Sequence, residues 1–441
     1  MIKRAIFLSI FMLSFLSACS SVKYHPVETI NQINTNNGYR VYNVLSKNKQ
    51  HKNLIILMFS GGGNRAASLG YGVLEQFAKT EINPTAKGRT LLDNIDLVYG
   101  VSGGSVLASY FALEGKNVIP QFEEQFLKYD FQQQIVNEAL SVSTISRLTS
   151  PQFGRGDLLA EQLNSALFKD NTFDDLLHHR KGPFAVISAT DMNMGQRLNF
   201  IQEDFDLLCL DLKKVKIARA VAASSAVPLI FSPLTFNNNG GSCYPSKKTS
   251  VIKATEAGKN KNEIQTKKDL YKNSQKRPFI HLVDGGLTDN LGLRSLLDTY
   301  NLWGFQGIKN NLKKSNIKNV IVINVNAQNQ ITSNVDLSAD IPNTSDIVNA
   351  IINVPIDSNT QNTLNSFRAL VDEWNKKQQN IKIYFVSLNL KDLPTSSLRD
   401  EVLNIDTSFY LPKEDVNKLK QSAKILLDQS VDYQEVLKVL R

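Results

Sequence analysis

Cysteine is scarce. Three in 441 residues, with no C-x-x-C pair, exclude a disulfide scaffold and a zinc ribbon. Five scattered histidines give no pattern for a metal cluster, and no metal or other cofactor is expected. Past the N-terminus no apolar run reaches the roughly 18 residues of a spanning helix. No internal repeat is visible. The hydrophobic and charged fractions, 42% and 21%, are ordinary and exclude global disorder. The chain carries +9, but the excess is local. Lys247 to Arg277 holds ten basic and three acidic residues, +7, which leaves the body near neutral. No zinc finger, RNP motif or basic heptad accompanies that charge, so no nucleic-acid partner is expected.

The N-terminus is rich where the rest is poor. Lys3 and Arg4 precede a mainly apolar run, Ala5 to Leu16, too short to span a bilayer and suited to a secretory signal. The run ends Leu16-Ser17-Ala18-Cys19, which resembles a bacterial lipobox. That resemblance makes residues 1–18 a lipoprotein signal peptide and Cys19 the acylated first residue of a lipid-anchored envelope protein. Ser20 rather than Asp after it favours the outer membrane. An ordinary signal peptide is the plainer alternative. Residues 19–52 read as a polar tether with little core. Cys209 and Cys243 either pair in an oxidising compartment or stand as separate thiols. The basic stretch within 237–278 reads as an inserted loop, solvated or in contact with anionic lipid head groups.

Between these ends the pattern alternates. Leu54–Phe59, Ile95–Val101, Phe184–Ala189, Phe279–Val283, Val320–Val325 and Ile383–Leu388 read as strands. Helices are expected over 67–77, 105–113, 215–225, 291–300, 345–379 and 412–440. This is an α/β class: a mostly parallel central sheet with helices on both faces.

Three Gly-rich turns follow strands. Gly100-Val101-Ser102-Gly103-Gly104 has the strand-turn-helix context of a nucleophile elbow, where flanking residues must lack bulk. Ser60-Gly61-Gly62-Gly63-Asn64-Arg65 lets successive N–H groups face one anion-sized volume. It lacks the Lys-Ser/Thr ending of a nucleotide loop, so an oxyanion hole is the better reading. Arg65 either orients that loop or meets a substrate head group. Asp284-Gly285-Gly286 puts a carboxylate at a strand end, as a base for the serine or as a helix N-cap. No histidine follows His281, so an α/β-hydrolase triad in the usual order cannot use Asp284. A triad of Ser102, Asp191 and His281 stays open on order alone; a Ser–Asp site fits better.

Jointly, Gly61-Gly62-Gly63-x-Arg65, Gly100-x-Ser102-x-Gly104 and Asp284-Gly285-Gly286 resemble the patatin-like phospholipase family. Ala189-Thr190-Asp191 with Gly195, and Ala223 to Pro228 before Phe231-Ser232-Pro233, match as well. The chain departs from the family at Ala66, where glycine is usual, and in the basic insertion. The resemblance implies a three-layer patatin-like domain over 53–330, with 331–441 an α/β extension packed on it. It implies a Ser102–Asp284 dyad, an oxyanion hole at Gly61, Gly62 and Gly63, and hydrolysis of acyl esters of membrane phospholipids or lysophospholipids. Asp191 and Ser225 then read as architectural. A catalytically silent lipid-binding lipoprotein and a Ser-His-Asp esterase are the alternatives. Head-group preference and oligomeric state are not encoded legibly.

Overall fold

The computed structural model describes residues 22–41, 43–44, 52–82, 89–245, 269–330, 339–377 and 380–441. Cys19, the signal segment and the basic residues from Lys247 to Lys268 lie outside the described residues.

The strands form where apolar residues run without a break. β1 (Asn53–Phe59, NLIILMF) is buried at every position but its first, as a strand covered on both faces must be. β2 (Leu97–Val101), β3 (Phe184–Asp191), β7 (Asn319–Asn326) and β8 (Lys382–Asn389) repeat that pattern to differing degrees. Between β3 and β7 lie β4 (Gln196–Asn199), β5 (Leu234–Asn237) and β6 (Phe279–Val283). The sheet order is β8-β7-β1-β2-β3-β6-β5, with β4 also on β3. The pairs from β8 through β3 are parallel. β6 enters antiparallel to β3, and β5 antiparallel to β6. The architecture is α/β with a central, mostly parallel sheet. β4 and β5 were not legible as strands because each is only four residues long.

α1 (Gly63–Lys79) leaves β1, and α2 (Gly103–Glu114) leaves β2. They pack against each other. Three helices follow: α3 (Phe131–Ala139), α4 (Val142–Leu148) and α5 (Arg155–Leu163). α6 (Ile217–Ser224) packs on α2 and α5. α7 (Gly286–Asp289) is a single turn after β6, followed by α8 (Arg294–Lys314). The terminal segment contributes α9 (Thr344–Lys377), the edge strand β8, α10 (Lys413–Gln429) and α11 (Val431–Leu440). It is one body with the rest. α10 lies along α1, and Lys420 of α10 bridges Glu75 at 3.1 Å and Glu123 at 2.8 Å. Trp374 of α9 is fully buried, its indole N–H donating to Ile381 O at 2.9 Å.

The segment read as a polar tether is docked over much of its length. Tyr39 is fully buried and stacks on Phe184 with centroids 3.9 Å apart. Its hydroxyl donates to Ala185 O and accepts from Ala185 N, both at 2.9 Å. Arg40 is buried against Asp206 at 2.7 Å. Gln32–Ile33 pairs with Tyr244–Pro245, and Ile30 N donates to Cys209 O at 2.9 Å. Cys209 and Cys243 form a disulfide, which joins the two stretches of chain that this segment hydrogen-bonds. Its apolar anchors are isolated among Asn and Gln, which gives no periodic signal.

Tyr39 therefore tests the docking. Tyr39→Phe leaves the Ala185 N–H without an acceptor and is expected to lose about 1–3 kcal/mol. Tyr39→Ala also empties an aromatic site and is expected to lose about 3–5 kcal/mol. Both are read as shifts of the urea unfolding midpoint; a Tyr39→Ala midpoint equal to the parent's would mean the segment is not part of the core.

Candidate active site

β2 ends in a turn too tight for ordinary backbone. Ser102 has φ 50° and ψ −127°, a positive φ on a non-glycine residue. Such strain is of order 1–3 kcal/mol and persists only where the surroundings over-determine it. They do so here. Ser102 N donates to Ser224 Oγ at 2.9 Å, and Ser224 Oγ donates to Ser188 O at 2.6 Å. Ser102 O accepts from Ser105 N at 2.8 Å and from Ser105 Oγ at 2.6 Å. The motif glycines allow the approach. A Cβ on Gly104 would lie 2.4 Å from Ser60 O, and one on Gly100 would lie 2.5 Å from Ser105 Cα.

Asp284 reaches this turn because β6 runs backwards. Val101 is paired with Ser188 of β3, and Val283 with Thr190 of the same strand. One residue past Val283, Asp284 is level with the β2 turn. Its N–H donates to Ala226 O at 3.0 Å, and its Oδ1 accepts from Gly286 N at 2.8 Å. The Ser102 side chain lies close enough to the same carboxylate to lower its pKa. Burial pushes the Asp284 carboxyl up to about 6, against the lowering pull of Ser102 and of the Gly286 hydrogen bond. Gly285 is needed for contact: its N–H donates to Ser224 O at 3.0 Å, and a Cβ would lie 2.2 Å from Ser188 O.

The triple-glycine loop lies beside the pair. Of the three glycines proposed as oxyanion donors, Gly61 is corrected. Its N–H is spent on Asn290 O at 3.0 Å. Gly61 instead permits proximity, since its Cβ position lies 3.4 Å from Ser102 Cβ and 2.4 Å from Asn290 Oδ1. Gly62 and Gly63, with φ 132° and 58°, open α1, and among the described residues their N–H groups have no acceptor. They stand where the positive end of the helix dipole adds to two free donors. The next amide, Asn64 N, donates to Ser408 O at 2.7 Å, so a strap from the terminal segment closes the loop from outside.

Arg65 is buried and turned away from solvent. Its Nε donates to Ala327 O at 2.8 Å and its Nη1 to Ile405 O at 2.6 Å. Burial lowers its pKa to about 10, with Asp406 and Asp357 opposing. These two bonds tie the glycine loop to Ala327 and to the strap, the orienting role of the two readings.

Asp191 is fully buried and already occupied. It accepts from Arg277 Nη2 at 2.9 Å and Tyr271 Oη at 3.1 Å, and it caps Asn193 N at 3.1 Å. His281 is exposed on β6, and among the described residues no hydrogen bond joins it to Ser102 or to the Asp191 carboxylate. The Ser102, Asp191 and His281 side chains are not brought together. Ser225 is corrected in role: its Oγ has no hydrogen-bond partner, and the neighbouring Ser224 does the capping.

Two asparagines were missed. Asn290 holds Gly61 through its carbonyl, and Asn324 Nδ2 lies 3.4 Å from Leu291 O in the same loop. Asn324 had a signal, a fully buried amide inside the apolar run VIVINV, which must find partners. Asn290 had none, since only the folded loop brings it to Gly61.

A family model described as patatin-like phospholipase matches residues 57–297, more than half of the chain. No curated protein matches. Among solved structures, human GIVD cytosolic phospholipase A2 is 12% identical with a TM-score of 0.45, over 91% of this chain. The chain spans 65% of that protein's length. The same enzyme with methyl gamma-linolenyl fluorophosphonate gives 13% and 0.43, over 91% of this chain and 62% of that one. VipD from Legionella pneumophila gives 11% and 0.28, over 88% and 67%. With its three Gly-rich turns falling inside the matched span and meeting at one sheet edge, the chain belongs to the patatin-like phospholipase family.

Proposed function

We propose that the protein is a lipid acyl hydrolase that cleaves acyl esters of membrane phospholipids or lysophospholipids through a Ser102–Asp284 dyad. The observation that carries this reading is a strained, buried serine beside a buried carboxylate whose pKa burial raises to about 6. Asp284 takes the Ser102 proton as Oγ attacks the ester carbonyl. Negative charge then develops on the carbonyl oxygen, and the free N–H groups of Gly62 and Gly63 receive it. The leaving alcohol takes the proton, and water activated by Asp284 releases the fatty acid from the acyl-enzyme. The raised carboxyl suits the task, because a base with pKa near 6 is ionised at neutral pH yet holds a proton better than a free aspartate. Cys19 is proposed as the acylated anchor of an envelope lipoprotein at the outer membrane. The Cys209–Cys243 disulfide supports an oxidising compartment.

Purified Cys19→Ser protein is expected to release fatty acid from phospholipid vesicles. Ser102→Ala and Asp284→Asn are expected to lose at least about three orders of magnitude in kcat, an effect in the range of losing a nucleophile or its base. Ser102→Ala also loses covalent labelling by a fluorophosphonate. Full activity in Asp284→Asn with loss in His281→Ala would overturn the dyad.

Below about 6 the Asp284 base is protonated, so kcat/KM is expected to rise about ten-fold per pH unit up to that point and level off above it. In the unfolded chain the same carboxyl ionises near 3.9, so folding becomes less favourable as pH rises from about 4 to 6. Asp284→Asn is therefore expected to stabilise the fold at pH 8 by about 2–3 kcal/mol and to be neutral near pH 4. Equal midpoints at pH 8 would show that the carboxyl is not desolvated.

A further inference from the structure

Around the sheet edge that carries Ser102 and Asp284, apolar side chains stand exposed among the described residues. Leu229 and Ile230 are 66% and 57% exposed. They follow closely on Ala226, whose carbonyl holds Asp284 N, and precede Phe231, whose ring meets Phe409 of the strap at 5.5 Å. Leu229 has φ 72°, and Arg155 Nη2 fixes its carbonyl at 2.7 Å. A leucine held in left-handed backbone with its side chain in solvent is a conformation built for display. Leu140 and Ile145, flanking and within α4, are likewise exposed. On the far side, α9 packs on α7 just after Asp284 and leaves Ile351 and Val354 exposed.

The N-terminal segment ends on this same edge. Val22 O accepts from Ser150 Oγ, and Tyr24 N donates to Gln152 Oε1, both at 2.8 Å. Ser150 closes α4, and the loop continues to Gly156, whose N–H donates to Ser232 Oγ at 2.9 Å. The Tyr24 ring meets Phe279, three positions beyond the β6 residue paired with the last residue of β3. Cys19 is three residues before Val22, so chain geometry keeps their Cα atoms within about 11 Å.

We infer that this edge is a docking face for a phospholipid bilayer, with the pinned N-terminal segment delivering the anchor residue to that face. The inference rests on the lipid-hydrolase reading for its purpose and on Cys19 acylation for its anchor. A free tether would let the body tumble and present Ser102 in any direction; a leash of three residues from Val22, pinned at Ser150, holds it toward the lipid. The exposed side chains are apolar where a bilayer surface can take them up, and they stand around the edge an ester must reach.

The test uses the full chain with Cys19→Ser and vesicles of phosphatidylethanolamine with a minority of phosphatidylglycerol. Leu229→Asp with Ile230→Asp is expected to weaken vesicle partitioning at least about ten-fold, or about 1.4 kcal/mol. Val431→Asp, at an 81% exposed position on α11, is expected to sediment as the parent does. Leu229→Asn with Ile230→Asn is the second variant should the aspartates unfold the loop. Parental partitioning in a folded variant of either kind overturns the docking face. A dimer of the parent that these variants break, without vesicle binding, overturns it in favour of a contact between copies. In the acylated chain, Ser150→Ala with Gln152→Ala is expected to lower the ratio of vesicle to short-chain ester hydrolysis several-fold, and an unchanged ratio overturns the pinned anchor. Loss of vesicle binding in the aspartate variant of a parent that releases no fatty acid would sustain the face while removing the hydrolase reading.

Discussion

A single juxtaposition, of the Ser102 side chain with the Asp284 carboxylate, sets the requirements for the middle of this sheet. The two residues are 182 positions apart in sequence and belong to strands that are not neighbours. β3 lies between them and acts as the common ruler. Val101 and Val283 pair with β3 residues two positions apart, one from each direction. β6 overlaps β3 only at Thr190 and Asp191, so it stops at this edge instead of running on across the sheet. That short antiparallel overlap leaves Asp284 level with the β2 turn.

Bringing a serine turn, a carboxylate and a glycine loop to one point crowds backbone against backbone. Ser188 O, Ser224 Oγ and Ser60 O all lie where a side-chain methylene would otherwise be, or hold the turn directly. The arrangement is unfavourable locally. Ser102 sits at positive φ, and Asp284 is ionised at neutral pH in a place where water cannot solvate it. The rest of the molecule offsets this by packing. The terminal segment is part of that support: Ser408 closes on Asn64, Ile405 accepts from Arg65, and α10 lies against α1. Truncation of that segment would remove the outer wall of the glycine loop as well as an edge strand.

The three turns were readable because glycine next to a serine or an aspartate at the end of an apolar run has few structural explanations. Strand and helix limits in the centre of the sheet were readable for the same reason: six apolar residues in a row leave little choice. What was illegible depends on contacts between distant segments. No local pattern says that the Gly61 N–H is taken by Asn290, that Arg65 spends its donors on Ala327 and Ile405, or that Tyr39 fills a slot on Phe184. Polarity misled at residues 19–52, because one aromatic and one buried Arg–Asp pair anchor a segment that is otherwise Asn-rich.

The docked N-terminal segment changes what the insertion and the edge residues mean. Tyr24 joins Asn237 and Phe279, the residues that bracket the basic stretch in sequence. Asp191, at the end of β3, holds Tyr271 and Arg277 in the last part of that stretch. Both exits of the insertion are therefore tied to the sheet edge that carries Ser102. Under the proposed function, a buried carboxylate and an entrance for an acyl chain make opposite demands on that edge. The inferred lipid-docking face would meet both, since it would withdraw the edge from bulk water while leaving it open to a hydrocarbon tail.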